Sequence, residues 1–459
     1  MSIPLDDLRA VNLWTPSGWR RDARMTVRDG RFETADERAH PAMPIVGDAA
    51  QWALPGIANL HSHAFQRAMA GLAERRGSSS DSFWTWRETM YAFASRITPD
   101  DLQAIAAQLY VEMLRAGYTH VCEFHYLHHA PDGRPYADPA AMSRAIIAAA
   151  GEAGIGLTLL PVLYMQGGFD GRALSPRQAR FGHGVDAFLR LLDTLRAEAN
   201  QRVRIGMAFH SLRAVLPAAM AATLAALPAD LPRHIHIAEQ VAEVDECGAV
   251  RGARPVRWLL DHASVDARWT LVHATHLDDA EVQGIAQCGA TVALCPTTEA
   301  NLGDGLFPVR AYLDAGGVWG IGSDSHISVS PVEELRWLEY GQRLLTRSRN
   351  VAADTGTPAV GEVLLRGVAS SAPAGSGVDL GVIAPGRRAD WIELDADAPE
   401  LAARSTENLL DTWLFSGNRN LVRTVVVGGR SVVAQGRHWD EDRIARQYRE
   451  CVRRLAASM

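Results

Sequence analysis

Two histidines separated by one residue, His61 and His63, follow an apolar run that begins at Trp52. Residues two apart on an extended strand point to the same side, so both imidazoles would leave the strand end together and could share one cation. Histidine pairs also occur in protein cores, where they are neutral and hydrogen-bonded. The polar residues that follow later apolar runs decide between these two interpretations.

Three of those residues, His236, His273 and Asp324, each lie at the end of a separate apolar run. Three imidazoles and one carboxylate suit Zn²⁺ and leave one position for a reactive water. We therefore predict that His61, His63, His236 and Asp324 hold a single divalent ion, most suitably Zn²⁺. Any one of them alone is most simply a hydrogen-bonded core residue, and their shared position at strand ends is what favours a common site.

The same residues suggest catalytic roles. Asp324 can both bind the ion and accept a proton from the attacking water. Glu239 follows His236 by three residues and is placed to protonate a substrate nitrogen. His273 is expected to polarise the water, and a role as a fourth ligand stays open. His234, two residues before His236 on the same strand face, is expected to be buried without binding the ion.

A second histidine group, His125, His128 and His129, lies in a segment rich in proline, glycine and aspartate. Such segments usually form surface loops, so these three side chains are expected to be exposed. Tyr126, in the same segment, could still face the site.

The chain contains no lysine, and all 46 basic residues are arginine. A phosphate-binding loop with its lysine and a Schiff-base lysine are both excluded. A lysine carbamate bridging two metals is equally impossible, which favours a centre with one ion.

The remaining composition predicts an ordinary globular protein. A net charge of −7 argues against binding nucleic acid or membrane surfaces. No apolar stretch approaches the ~20 residues needed to span a bilayer, and the first residues carry no export signal. The five cysteines lack metal-binding or redox spacing, so we expect reduced thiols in a cytoplasmic protein.

From residue 55 onward, strand-like runs alternate with helix-length segments, which predicts a parallel barrel. The runs are Thr119–Phe124, Gly156–Leu163, Val203–Phe209, His234–Ala238, Trp269–His273, Thr291–Cys295 and Val318–Gly322. Segments such as Pro99–Ala116 have the length of helices. Ser330, Pro331 and Glu333 mark one helix start, with a capping box expected between Ser330 and Glu333.

Short strands broken by turns occur at both chain ends. The expected fold class is α/β: a distorted (β/α)₈ barrel over residues 55–374, beside a small β-sandwich built from residues 1–54 and 375–439. Residues 440–459 are expected to form an amphipathic helix that covers the molecule. Barrels of this kind place their active sites at the carboxyl ends of the strands, where the candidate ligands lie.

Several blocks of this sequence resemble the amidohydrolase superfamily and, within it, the family of N-formimino-L-glutamate deiminases. They are Leu60–Arg67, Ser82–Arg87, His234–Gln240, Cys295–Gly305 and Gly381–Asp390. The resemblance covers essentially the whole chain. It implies hydrolysis of N-formimino-L-glutamate to N-formyl-L-glutamate and ammonia by a metal-activated hydroxide during L-histidine breakdown, and it implies a homodimer.

The substrate implied by this resemblance is a small dicarboxylate, which requires fixed cations. The resemblance places Arg87 and Arg213 in the substrate pocket, with Gln66, Tyr126 and His210 as further polar contacts. Arginine is suited to this role because it binds a carboxylate through two parallel hydrogen bonds.

Two other functions stay open. A deaminase of a nucleobase or related heterocycle would use the same metal chemistry, but it would need flat apolar stacking surfaces rather than two arginines. An inactive barrel that serves as a binding protein would be expected to lack a ligand position, and none is missing here. The aromatic segment Phe83–Trp86, just before Arg87, is compatible with a lid or a dimer contact.

Overall fold

The computed structural model describes residues 3–33, 49–74 and 83–457. The strands are β1 (Ile3–Pro4), β2 (Asp7–Thr15), β3 (Gly18–Arg28), β4 (Arg31–Phe32), β5 (Ala50–Pro55), β6 (Ile57–Ser62), β7 (Tyr118–His125), β8 (Gly156–Leu163), β9 (Val203–Ile205), β10 (Met207–Ser211), β11 (Arg233–Ile237), β12 (Trp269–His273), β13 (Thr291–Leu294), β14 (Val318–Ile321), β15 (Trp391–Leu394), β16 (Val422–Val427), β17 (Arg430–Ala434) and β18 (Arg437–His438). The helices are α1 (Phe83–Ala94), α2 (Pro99–Ala116), α3 (Ala141–Ala153), α4 (Val185–Arg196), α5 (Pro217–Ala226), α6 (Val241–Arg251), α7 (Pro255–His262), α8 (Asp279–Cys288), α9 (Pro296–Leu302), α10 (Val309–Asp314), α11 (Pro331–Thr346), α12 (Val360–Ser376), α13 (Leu409–Phe415) and α14 (Glu441–Ala457).

Within the described ranges, eight parallel strands form the barrel in the order β6-β7-β8-β10-β11-β12-β13-β14, and the short β9 also pairs with β8. Backbone hydrogen bonds join the first and last strands of this order at their carboxyl ends. The amide of Asp324 donates to the carbonyl oxygen of His61 at 3.0 Å, and that of His63 donates to the carbonyl of Asp324 at 3.2 Å. The predicted barrel is confirmed, and it closes where the candidate ligands lie.

The predicted strand Val203–Phe209 is two strands, β9 and β10, separated by Gly206. The backbone of Gly206 packs tightly against its neighbours: a Cβ at this position would lie 2.6 Å from Cδ2 of Leu160 and 2.9 Å from the carbonyl oxygen of Pro232. Its amide donates to the carbonyl of Leu159 at 2.9 Å. The strand breaks there because the chain meets β8 and the residue before β11 at the same point.

Local capping explains where helices begin. Thr98 caps α2 by accepting from the amide of Asp101 at 3.3 Å, and the predicted helix bounds Pro99–Ala116 are confirmed. Ser330 likewise caps α11, accepting from the amide of Glu333 at 3.3 Å. The predicted reciprocal bond from Glu333 to Ser330 is wrong. The hydroxyl of Ser328 accepts from the amide of Ser330 and donates to the Glu333 carboxylate, so both groups already have partners.

The strands from both chain ends form one mixed sheet in the order β1-β17-β16-β15-β5-β2-β3-β4, with β18 paired to β17. It curls around a buried core of its own that includes Leu13, Phe32, Trp391 and Val426. The apolar run that begins at Trp52 is divided between this sheet and the barrel, since β5 ends and β6 begins on either side of Gly56. The expectation that both termini build a small β structure is confirmed, whereas the unit boundaries at residues 54, 374 and 439 stay predictions.

The last helix, α14, packs against α2. It buries Ile444, Cys451 and Leu455, and the Cys451 thiol donates to the carboxylate of Asp101 on α2 at 3.3 Å. None of the described helices combines the length and the apolar composition that crossing a bilayer would require.

Candidate active site

The four candidate ligands lie at the carboxyl ends of three barrel strands, β6, β11 and β14. His61 is the second-to-last residue of β6, and His63 follows that strand directly. His236 lies in β11, and Asp324 follows β14. All four side chains are buried. The structure therefore brings together the four residues that were predicted as ligands.

Three imidazole nitrogens face one another at the centre of this group. The Nε2 atom of His61 lies 3.1 Å from Nε2 of His63 and 3.0 Å from Nε2 of His236. The Oδ1 atom of Asp324 lies 3.4 Å from the same atom of His61 and 3.3 Å from that of His63. Lone pairs directed at one small volume are the arrangement that a coordinated cation requires.

Backbone carbonyls orient two of these rings. The Nδ1 atom of His63 donates to the carbonyl oxygen of Phe124 at 2.8 Å, and that of His236 donates to the carbonyl of His210 at 2.9 Å. A carbonyl accepts only from a protonated nitrogen, so Nε2 is the unprotonated atom in each ring. Burial lowers the pKa of His61, His63 and His236, and the neighbouring imidazoles lower it further for His61 and His236. Neutral rings with free Nε2 atoms fit a divalent ion.

His273 lies beside this group and contacts three carboxylates. Its Nδ1 atom is 3.2 Å from Oε1 of Glu299, and its Nε2 atom is 3.8 Å from Glu239 and 3.9 Å from Asp324. Burial lowers the pKa of His273, but the surrounding negative charge of Glu239, Glu299 and Asp324 outweighs it and raises the pKa to about 10. Nitrogen and oxygen atoms of His61, His273 and Asp324 also lie within 4.8 Å of one another, so both predicted roles of His273 remain compatible with the geometry.

Glu299 was not singled out from the sequence, although it lies inside the block Cys295–Gly305. Its carboxylate accepts from the amide of Cys295 at 2.8 Å while it contacts His273. The sequence carried a signal for this residue: Glu299 lies four residues after Cys295, close enough for its carboxylate to accept from the Cys295 amide and also to contact His273 on the neighbouring strand.

Glu239 lies just after β11 with 14% of its side chain exposed, and partial burial raises the pKa of its carboxyl group to about 7. The Glu243 carboxylate accepts from the amide of Glu239 at 3.1 Å and thereby fixes the local backbone. Left-handed backbone conformations occur at three strand ends: Ala238 with φ of 55°, His273 with φ of 70° and Asp324 with φ of 43°. Such conformations are costly for residues other than glycine, and their concentration here indicates a functional constraint.

A cavity opens above the ligand group. All five residues predicted as substrate contacts line it: Gln66, Arg87, Tyr126, His210 and Arg213. The Gln66 amide donates to the hydroxyl of Tyr126 at 2.8 Å, which joins two of them directly. Trp86, from the aromatic segment predicted as a lid or dimer contact, also lines it. Lining residues that sequence reasoning missed are Met90, Tyr91, Tyr164, Phe181, Ser211, Glu243 and Leu302. The side chains of residues 83–85, predicted as part of a lid or dimer contact, lie outside the described residues.

The prediction that His125, His128 and His129 are exposed is wrong. Their exposed fractions are 2%, 1% and 8%. The amides of His128 and His129 both donate to the carbonyl oxygen of Arg180 at 3.0 Å, because the 3-10 turn Pro176–Phe181 covers this loop. The expectation for Tyr126 holds, since that side chain lines the cavity.

The expectation that His234 is buried is also met. It is fully buried, and its Nε2 atom donates to the carbonyl oxygen of Gly375 at 2.8 Å.

Known proteins share this architecture. The Amidohydrolase family model matches residues 52–432. Formimidoylglutamate deiminase from Pseudomonas aeruginosa is 52% identical over 437 residues, which cover 94% of this chain and 96% of that protein. The crystal structure of an amidohydrolase from Brucella melitensis superposes with a TM-score of 0.91 at 43% identity, covering 98% of this chain and 99% of that one. Atrazine chlorohydrolase from Arthrobacter aurescens, solved in complex with zinc, shares the fold with a TM-score of 0.80 at 22% identity, covering 97% and 99% of the two chains.

Proposed function

The chain is a member of the amidohydrolase family, and from that premise we propose that it hydrolyses N-formimino-L-glutamate to N-formyl-L-glutamate and ammonia in histidine breakdown. One observation carries this proposal: a single cavity has imidazoles and carboxylates at its floor and two arginines, Arg87 and Arg213, on its wall. The imidazoles and carboxylates of the floor suit metal-assisted hydrolysis. The two arginines of the wall suit a substrate with two carboxylates. The similarity to formimidoylglutamate deiminase over nearly the full chain supports the same substrate.

Substrate binding is assigned to the wall. Arg87 and Arg213 hold the carboxylates through paired charge-assisted hydrogen bonds. Gln66, Tyr126 and His210 supply neutral polar contacts that orient the formimino group over the floor. Because the hydroxyl of Tyr126 already accepts from Gln66, its own proton is free to be donated toward a substrate acceptor.

The metal site is assigned to His61, His63, His236 and Asp324, whose nitrogen and oxygen atoms favour Zn²⁺. When bound, such an ion activates a water molecule for attack at neutral pH. Hydrolysis adds the oxygen of one water to the amidine carbon, breaks the bond to the terminal nitrogen, and moves both protons of that water to the nitrogen, which leaves as ammonia.

The chain's own groups move these two protons. Asp324 accepts the first, since its carboxylate lies at the ligand group, and releases it to the nitrogen before ammonia leaves. Glu239 delivers protons to the leaving nitrogen, and a pKa near 7 suits a group that must both take and give a proton. Glu299 holds His273 so that Nε2 of the ring faces Glu239 and Asp324, where it can orient the water.

A deaminase of a nucleobase or related heterocycle is the second candidate, because the rings of Trp86, Tyr91 and Tyr164 line the cavity and could stack on a flat base. A substrate panel separates the two. The zinc-loaded protein is incubated with N-formimino-L-glutamate, guanine, cytosine or adenosine, and ammonia is measured, with chelated protein as the control. We expect release from formiminoglutamate alone. Release from a base instead would favour the second candidate. A protein that retains no stoichiometric metal and hydrolyses none of these substrates would favour a binding protein.

We also propose a homodimer in the cytoplasm. Apolar side chains exposed on α11, among them Trp337, Leu344 and Leu345, provide a surface of the kind that dimers bury. All five cysteines are unpaired, which suits a reducing compartment. Light scattering on the purified protein tests the dimer, and a monomer mass at micromolar concentration would contradict it.

A further inference from the structure

Arg180 is a buried arginine outside the catalytic group. Its exposed fraction is 2%, and its guanidinium donates to backbone carbonyls: from Nε to His129 at 2.8 Å, from Nη2 to Ile97 at 2.7 Å, and from Nη1 to Ala94. In the described part of the chain, no carboxylate forms an ion pair with it. A buried cation is costly unless its surroundings are organised to accept it, so this arrangement needs a reason.

One of the three acceptors lies at the end of α1 and a second just beyond it. Ala94 is its last residue, and Ile97 follows one turn later. The last carbonyls of a helix have no donor within the helix, and a cation at this end also interacts favourably with the helix dipole. Arg180 therefore fixes the position of the carboxyl end of α1.

The same helix carries four side chains to the substrate cavity. Trp86, Arg87, Met90 and Tyr91 line it, and their spacing of four residues places them on one face of the helix. The guanidinium carbon of Arg87 lies 5.5 Å from the centre of the Tyr91 ring. A displacement of the end of α1 would thus move an arginine that is assigned to the substrate.

The backbone of Arg180 is also anchored. Its carbonyl oxygen accepts from the amides of His128 and His129 in the loop after β7. The next residue, Phe181, contacts the rings of Tyr91 and Tyr126, with ring centres 5.9 Å and 5.1 Å apart. One residue thus connects α1 to the loop that carries Tyr126, and both elements form the wall of the cavity.

We propose that Arg180 is a positioning residue, which holds α1 so that Arg87 meets a carboxylate of the substrate. This inference rests on the proposed function for the identity of that substrate. The tether itself does not depend on it, so the two can be tested separately.

Hydrogen–deuterium exchange tests the tether without any substrate. In the full-length, zinc-loaded Arg180→Met protein, amides of residues 86–97 should exchange about tenfold faster, while those of α2 stay unchanged. Arg336→Met is the matched control, because Arg336 donates to the carbonyls of Leu414 and Gly417 at the end of α13. It should loosen α13 only. Unchanged exchange across residues 86–97 in Arg180→Met would overturn the proposal.

Steady-state kinetics test the link to Arg87. Arg180→Met should raise KM for N-formimino-L-glutamate about tenfold, with kcat within about threefold of the original and metal content unchanged. Arg180→Lys should recover part of the loss and serves as the test variant if Arg180→Met does not fold. The double variant with Arg87→Met should be little worse than Arg87→Met alone.

Additive effects of Arg180→Met and Arg87→Met on KM, or a parallel loss of kcat and metal, would assign Arg180 a general structural role and overturn the proposal. If the parent protein does not hydrolyse this substrate, the proposed function is wrong, and the exchange experiment alone decides the role of Arg180.

Discussion

The floor and the wall of the cavity are built in different ways. The floor residues His61, His63, His236 and Asp324 lie on strand ends or beside them, where the backbone ladder of the barrel fixes their spacing. The wall residues Arg87, Tyr126 and Arg213 come from a helix and from segments after strands, and side-chain contacts hold them. The Gln66 amide, for example, donates to the hydroxyl of Tyr126 at 2.8 Å.

This difference suggests that catalysis and substrate recognition depend on different parts of the fold. Chemistry that tolerates little movement is placed on the rigid sheet, and recognition of a particular substrate is placed on elements that can vary. Substitutions in the floor should therefore change metal content or kcat, whereas substitutions in the wall should change KM.

Loss of a floor ligand is expected to have the largest effect. His236→Ala should remove stoichiometric metal and reduce hydrolysis to the background rate, because its Nε2 atom lies 3.0 Å from that of His61 at the ligand group. Metal analysis and the ammonia assay check this. His234→Gln on the same strand is the control and should retain the metal. A fully active His236→Ala protein would show that His236 is not a metal ligand.

Loss of the proposed proton carrier, Glu239, is expected to have the second-largest effect. Glu239→Gln should keep the metal and lower kcat by about 10²–10⁴-fold, since an amide cannot exchange the proton that the leaving nitrogen needs. Metal content measured beside kcat separates this effect from loss of the ion. A nearly normal kcat would exclude Glu239 from the proton path.

Substitutions of wall residues should change KM. Arg213→Met is expected to raise KM roughly 10–150-fold, because a hydrogen bond to a charged group contributes about 1.5–3 kcal/mol. The exposed Arg190 on α4 offers a matched control, and Arg190→Met should leave KM unchanged. An unchanged KM in Arg213→Met would mean that the carboxylate contacts lie elsewhere.

The smallest effect is expected for Glu299, which acts through its contact with His273. Glu299→Gln removes the negative charge beside Nδ1 of His273 and should lower kcat about tenfold with KM and metal content unchanged. A KM effect larger than the kcat effect would place Glu299 on the recognition side and blur the distinction between floor and wall.

Much of the barrel was predictable because strand signals are local. The runs Gly156–Leu163 and Trp269–His273 match β8 and β12 residue for residue. The break at Gly206 was not predictable, since it depends on Leu160 and Pro232, which are distant in the chain. The burial of His128 and His129 escaped sequence reasoning for the same reason: the turn that covers them begins at Pro176.

The amino-acid sequence alone determined which side chains were available for the chemistry: a His-x-His pair, later histidines and acids at strand ends, and no lysine for a bridged or Schiff-base centre. Spacing along a strand is set by the local backbone, so these features can be recognised without the fold. Only the tertiary structure decided how Glu299 meets His273 and how Arg180 holds α1. Those contacts join residues far apart in the chain, and their distances arise from packing of whole elements rather than from any local pattern.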